Sequence, residues 1–219
     1  MRAFKLLLLS TALAMTTAAS AEIRVGFVTS LSGAGSSIGI PYGRGAAAAY
    51  EYRSEVGGEK IRLIQLDDGS DPSSATRNTR KLVEEEKVDI PIGTATAPST
   101  IAAVAGELKP PMIAVSPINL TASGEQWAIA VPQPATLLVK VVADRMVRDG
   151  VKNVGFIGFS DAWGDLVYTG AKAAEQAGLI KVLTNERYAR ADTSVTGQIL
   201  KVMAARPDGV LNGGSGTQG

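Results

Sequence analysis

Apolar and polar positions along this chain keep switching between two periods. Ile23-Arg24-Val25-Gly26-Phe27-Val28-Thr29 is a β-branched, apolar run that opens into a Ser/Gly-rich stretch, as a buried strand entering a loop does. The pattern then predicts a helix starting near Pro41, running through Ala46-Ala47-Ala48-Ala49 and stopping at Gly57-Gly58. A strand over 61–66, a turn and N-cap at Asp71-Pro72-Ser73, and a helix over 75–86 with a charged outer face follow. The rhythm repeats as strand 88–92, helix 99–108, strand 112–115 and a short strand 127–131. Strands alternating with helices imply a parallel sheet joined by right-handed crossovers.

Val131-Pro132-Gln133-Pro134 interrupts this rhythm, because proline cannot continue a strand interior and restricts the residue before it. A hinge or domain crossing is expected there. Beyond it come helix 135–149, strand 153–159, helix 165–177, strand 181–187, helix 196–205 and strand 209–211. The expected fold class is α/β with two lobes, each a mostly parallel sheet flanked by helices, the first over 22–131 and the second over 132–219. The last strand runs into Asn212-Gly213-Gly214-Ser215-Gly216-Thr217-Gln218-Gly219 with no helix to cover it. Either the second sheet is unusually small or the chain is a fragment of a longer protein, and the second lobe is expected to be incomplete.

Residues 1–21 belong to neither lobe. Arg2 and Lys5 precede the apolar run Leu6-Leu7-Leu8-Leu9-Ser10-Thr11-Ala12-Leu13-Ala14-Met15, and Ala19-Ser20-Ala21 supplies the small residues that signal peptidase requires. The run is too short for a bilayer core of about 30 Å. It reads as a secretory signal cleaved before Glu22, against the alternative of a short buried helix. Without Arg2 and Lys5 the exported chain carries one net negative charge, and no Cys stands near the cleavage site to take a lipid. A free periplasmic monomer is expected.

Composition removes most chemistry. With no Cys and no His there is no disulfide framework, thiolate nucleophile, Ser-His-Asp triad or His/Cys-ligated zinc. The 22 Lys+Arg are balanced by 21 Asp+Glu without a basic cluster, so nucleic acid is not an expected partner. Gly33-Ala34-Gly35-Ser36-Ser37-Ile38-Gly39 and Gly214-Ser215-Gly216-Thr217-Gln218-Gly219 imitate a dinucleotide fingerprint. Their spacing is wrong: Ser30-Leu31-Ser32 separates the first from its strand, Pro41 marks a later helix start, and Asp67 lies too far on to hold a ribose. Asp67-Asp68-Gly69-Ser70-Asp71 lacks the ligand spacing of a calcium loop and reads as a turn with Asp71 or Ser73 capping the next helix. No enzyme, cofactor or metal site is expected.

What remains are loops at the C-terminal ends of strands, where open α/β sheets bind ligands. Thr94-Ala95-Thr96-Ala97-Pro98-Ser99-Thr100 enters a helix with hydroxyls and backbone N–H groups suited to a carboxylate, or simply caps that helix. Ser116-Pro117-Ile118-Asn119-Leu120 leaves the next strand toward the same edge. In the second lobe Asp161-Ala162-Trp163-Gly164 holds the equivalent place, its Trp either packed on its own lobe or offered to a cleft.

Together these residues resemble the leucine/isoleucine/valine-binding protein family, the periplasmic substrate-binding proteins of branched-chain amino-acid-type ABC importers. The resemblance covers nearly all of the exported chain. It rests on Ile23-Arg24-Val25-Gly26 leading to Leu31-Ser32-Gly33, Asp67-Asp68-Gly69-Ser70-Asp71-Pro72, Ile92-Gly93 before the Thr/Ser loop, Ser116-Pro117, Trp163-Gly164 and Asn212-Gly213-Gly214. It implies a hinge-closing protein that captures a small molecule and hands it to a membrane permease, without catalysis. The ligand contacts it implies are Ile38, Thr96, Ala97, Ile118, Asn119, Leu120, Trp163 and Ser215. Two hydroxyls that hold an amino acid in this family are replaced here by Ala97 and Leu120, which favours a carboxylate with an apolar or aromatic body over leucine. Family members are longer than this chain. An extracellular sensor module and a nucleotide-dependent enzyme are the alternative functions.

Overall fold

The computed structural model describes residues 22–105, 111–119 and 128–216. In chain order the first part contains β1 (Glu22–Thr29), α1 (Ser36–Tyr52), β2 (Glu55–Val56), β3 (Glu59–Asp67), α2 (Pro72–Glu84), β4 (Ile90–Gly93), α3 (Ala97–Val104), β5 (Met112–Ala114) and β6 (Ala128–Ala130). The second part contains α4 (Ala135–Arg148), β7 (Asn153–Phe159), α5 (Ala162–Gln176), β8 (Lys181–Tyr188), α6 (Thr196–Ala204) and β9 (Gly209–Gly213). The strands form a six-stranded sheet, β2-β3-β1-β4-β5-β6, and a separate three-stranded sheet, β8-β7-β9. All pairings are parallel except β2 with β3. The chain passes between the sheets through 131–134, and Pro134 opens α4 as its N-cap residue.

Alternation along β1 sends its residues to two faces. Gly26 and Val28 face α2, where Val28, Leu82 and Val88 form a buried cluster. A Cβ on Gly26 would stand 2.8 Å from Leu82 Cδ1, so the small residue lets the helix sit close. Phe27 faces α1 and lines an apolar groove of 590 Å³ with Leu63, Ile92, Val115 and Tyr42. In the second sheet, Phe156 is fully buried between Val139, Val167 and Leu211 and meets the edge of Tyr168 at 5.1 Å. Burial of a side chain of that size stabilises by roughly 3 kcal/mol.

The first helix departs from the sequence expectation. It starts at Ser36, and Pro41 lies inside it, forgoing one backbone bond in the second turn. Gly57-Gly58 does not end the helix; both residues take positive φ (63° and 86°) and turn the chain between β2 and β3. Alternation is invisible in a two-residue strand, so β2 has no sequence signature. The α5 helix begins at Ala162, earlier than expected, because the Asp161 carboxylate accepts from the N–H of Trp163 and Gly164. The expected ends of the 99–108 helix and the 127–131 strand lie partly outside the described residues.

Candidate functional site

The C-terminal ends of β1, β3 and β4 carry loops of the first lobe, and the acidic turn after β3 holds the loop after β1. Asp67 Oδ1 accepts from the N–H of Leu31 (2.8 Å), Ser32 (3.3 Å) and Gly69 (2.8 Å), while Oδ2 takes the Ser32 hydroxyl at 2.7 Å. Partial burial pushes the Asp67 pKa up, but the Ser32 hydroxyl and these backbone donors outweigh it and leave the carboxyl below its usual range. Buried Asp68 behaves oppositely. Desolvation raises its pKa against hydrogen bonds from the Ser30 hydroxyl and Ser70 N–H, and the nearby charges of Asp67 and Asp71 raise it further. Ser70, at φ 64°, accepts from Gly35 N–H through Oγ and donates to the Ser32 carbonyl.

This turn also disposes of the fingerprint motif. With α1 starting at Ser36, a Gly-rich loop does run directly into a helix, contrary to the expected later start. The amide of Gly35 is nevertheless taken by Ser70, and those of Leu31 and Ser32 just before the loop by Asp67. The carboxylate of Asp67 sits where a phosphate would need those donors. Asp71 caps α2, accepting from Ser74 N–H at 2.7 Å. In the second Gly-rich stretch, residues 217–219 lie outside the described residues.

The Thr/Ser loop enters α3 with Thr96 as its N-cap, its Oγ1 accepting from Ser99 N–H at 3.4 Å. Thr94 and Thr100 are buried and bonded to one another, so most hydroxyls of this loop serve its own fold. Ala97 N–H and Ser99 Oγ differ from these. Ala97 N–H is the first of the helix and has no intrahelical acceptor. Ser99 Oγ is buried and, with Asp68 Oδ2, lacks a hydrogen-bond partner among the described residues. Sequence reasoning noted the segment but did not single out Ser99. A Ser at the third helical position reads as helix-forming filler until its burial is known.

The lobes meet over this helix terminus. Trp163 packs with Ile118 and Ala162 against the buried cluster of Ala97, Ala135 and Leu166, joining α3, α4 and α5. The indole Nε1 donates to the Gly214 carbonyl at 3.4 Å. A second meeting point lies at the first turn of α1, where a Cβ on Gly216 would stand 2.7 Å from Ser37 Oγ and 3.7 Å from Ile38 Cδ1. Thus Thr96, Ala97, Ile118 and Trp163 come together, while Ile38 and Ser215 lie at the neighbouring contact. Ile38 belongs to α1 itself, not to the preceding loop. Asn119 is exposed, and Leu120 lies outside the described residues.

A further group, unmarked in the sequence, ties together the loops of the second sheet. Arg190, just after β8, donates from Nε to Asp161 Oδ2 at 2.6 Å and from Nη1 to Ser215 Oγ at 3.4 Å. Its guanidinium carbon stands 4.1 Å from the centre of the Phe159 ring. No local pattern pairs residues 29 positions apart.

A family model described as periplasmic binding protein matches residues 22–219, and the chain belongs to that family. The family is one of ligand-binding proteins rather than enzymes. An extracellular ligand-binding receptor from Rhodopseudomonas palustris HaA2 is 40% identical with a TM-score of 0.84, over 90% of this chain and 55% of its own. A solute-binding protein of an R. palustris ABC transporter, solved in complex with benzoate, has a TM-score of 0.78 at 24% identity, over 90% of this chain and 57% of its own, a likeness of fold. A curated amino acid binding protein from Pseudomonas aeruginosa is 32% identical over 114 residues, 51% of this chain and 30% of that protein. The chain spans about half the length of these structures. No helix among the described residues is long and apolar enough to cross a membrane.

Proposed function

We propose that the protein is the periplasmic solute-binding component of an ABC importer, exported through a cleaved signal over residues 1–21, and that it captures a small carboxylate with an apolar or aromatic body. The lobes over 22–131 and 132–219 close on the ligand as a monomer and present it to an inner-membrane permease. One observation carries the reading: Trp163 of the second lobe packs against the cluster that joins Ala97, at the start of α3, to Ala135 and Leu166, with Ile118 packed against the same cluster. A helix N-terminus favours an anion, through its unsatisfied N–H groups and dipole. Ala97, Ile118 and Trp163 beside it are apolar, which suits a hydrocarbon or aromatic body and gives a zwitterion's ammonium no charged partner among them. In this reading Ala97 N–H and Ser99 hold the carboxylate, Thr96 positions them, and Ile38, Ile118, Asn119, Leu120, Trp163 and Ser215 line the rest. Solved proteins of the same fold, at 24% and 20% identity, hold benzoate and 4-hydroxybenzoate, so the architecture accommodates such acids.

Calorimetric titration of the purified protein with benzoate and with leucine tests this. Benzoate is expected to bind at least tenfold more tightly than leucine, since an uncompensated ammonium loses 1.4 kcal/mol or more, roughly the cost of a missing hydrogen bond to a charged group. Tight leucine binding with no response to benzoate overturns the carboxylate preference.

A further inference from the structure

We propose that Arg190 is a specificity-determining residue of the inter-lobe cleft, and that it selects acids carrying a second oxygen acceptor at the end remote from the carboxylate. The inference rests on the carboxylate-binding reading above.

Three loops at the C-terminal edge of the second sheet converge on this side chain: Asp161 after β7, Arg190 after β8 and Ser215 after β9. Both partners adjoin residues that touch the first lobe. Asp161 Oδ1 caps Trp163 and Gly164, and Trp163 packs against the cluster containing Ala97. Ser215 precedes Gly216, which lies against Ser37 and Ile38. Arg190 therefore sits in the second-lobe wall between the two places where the lobes meet.

Its hydrogen-bonding inventory gives that wall a sign. A guanidinium has five donors in a rigid fork. Nε goes to Asp161 and one Nη1 donor to Ser215, while Nη2 has no acceptor among the described residues although the side chain is only 15% exposed. Asp161, by contrast, has both oxygens engaged, Oδ1 by two backbone N–H groups and Oδ2 by Arg190, whose charge it neutralises. The unused donors of this wall are those of the guanidinium. A ketone, hydroxyl or second carboxylate oxygen meets a partner there; an ammonium meets a cation. With one carboxylate at the α3 terminus, the favoured ligand is an acid with an acceptor at its far end.

The test compares benzoate with 4-acetylbenzoate, which adds one neutral carbonyl acceptor, by calorimetry on the wild type and on the double variant Asp161→Asn/Arg190→Met. Asparagine keeps the helix cap, so the double variant leaves no unpaired carboxylate behind. The wild type is expected to bind 4-acetylbenzoate about tenfold or more tightly than benzoate, and the double variant to lose that preference, its affinity for 4-acetylbenzoate falling about tenfold further than its affinity for benzoate. Equal losses for both acids mean that Arg190 only braces the three loops, and the proposal falls. Wild-type binding of benzoate without preference also overturns it while leaving the carboxylate reading intact. Binding of leucine and neither acid overturns both.

Discussion

Asp67 and Asp68 are adjacent carboxyls whose environments push them apart. Asp67 is held in its charged form by a hydroxyl and three backbone donors, whereas Asp68 is buried beside two like charges. Linkage gives the two groups opposite signs. Asp67, with its folded pKa depressed, contributes stability above the unfolded pKa near 3.8 that disappears as pH falls through the folded value. Asp68, with its folded pKa raised, favours the fold most below 3.8 and loses that contribution as pH rises from 3.8 through its folded value. Asp68→Asn retains an acceptor for Ser30 and Ser70 and cannot ionise. Relative to wild type, its stability in urea titrations is expected to improve as pH rises from 3 to 7. A constant difference across that range contradicts the assignment.

At the scale of elements, the site depends on how closely helices cross strand ends. Gly39 in α1 faces the backbone of Ser30 at the end of β1, and any Cβ there would collide with the Ser30 carbonyl. Alanine gains about 1 kcal/mol of helix propensity over glycine. The obstacle is backbone, which no rotamer change relieves, and such overpacking costs about 1–3 kcal/mol. Gly39→Ala is therefore expected to lower the urea midpoint, with a net loss of up to about 2 kcal/mol. A gain in stability would show that α1 is free to lift from the sheet. Because α1 also carries Ile38 to the contact with Gly216, the same shift is expected to disturb the cleft.

For the whole molecule, the reading above makes the segment 131–134 a hinge between two rigid sheets. A ligand that binds both walls favours the closed arrangement by its differential affinity for the two states. Solution scattering is expected to show a smaller radius of gyration on addition of saturating benzoate, with a simultaneous change in tryptophan fluorescence as Trp163 is enclosed. An unchanged radius alongside measured binding contradicts hinge closure. The packing of Trp163 against the cluster that links α3 to α4 and α5 is the physical reason to expect that signal.

Much of this was legible in the chain itself. The strand β7 was readable to the residue, and alternation of strand and helix led to the α/β class, because periodicity reports which face of each element is buried. The prolines at 132 and 134 marked a break in the rhythm, and the turn at 71–73 marked a helix cap on Asp71 or Ser73, of which Asp71 takes the place, since both signals act through local backbone geometry. Gly57-Gly58 and Pro41 misled for the same local reason: each is compatible with more than one backbone role, and pairing with β3 or packing on β1 chose between them. Ser99, Asp67 and Arg190 gained their roles only in three dimensions. A buried hydroxyl without a partner, a carboxylate filling a ring of amides and a guanidinium tying three loops depend on partners far apart in sequence, so their chemistry is a property of tertiary packing and not of any local pattern.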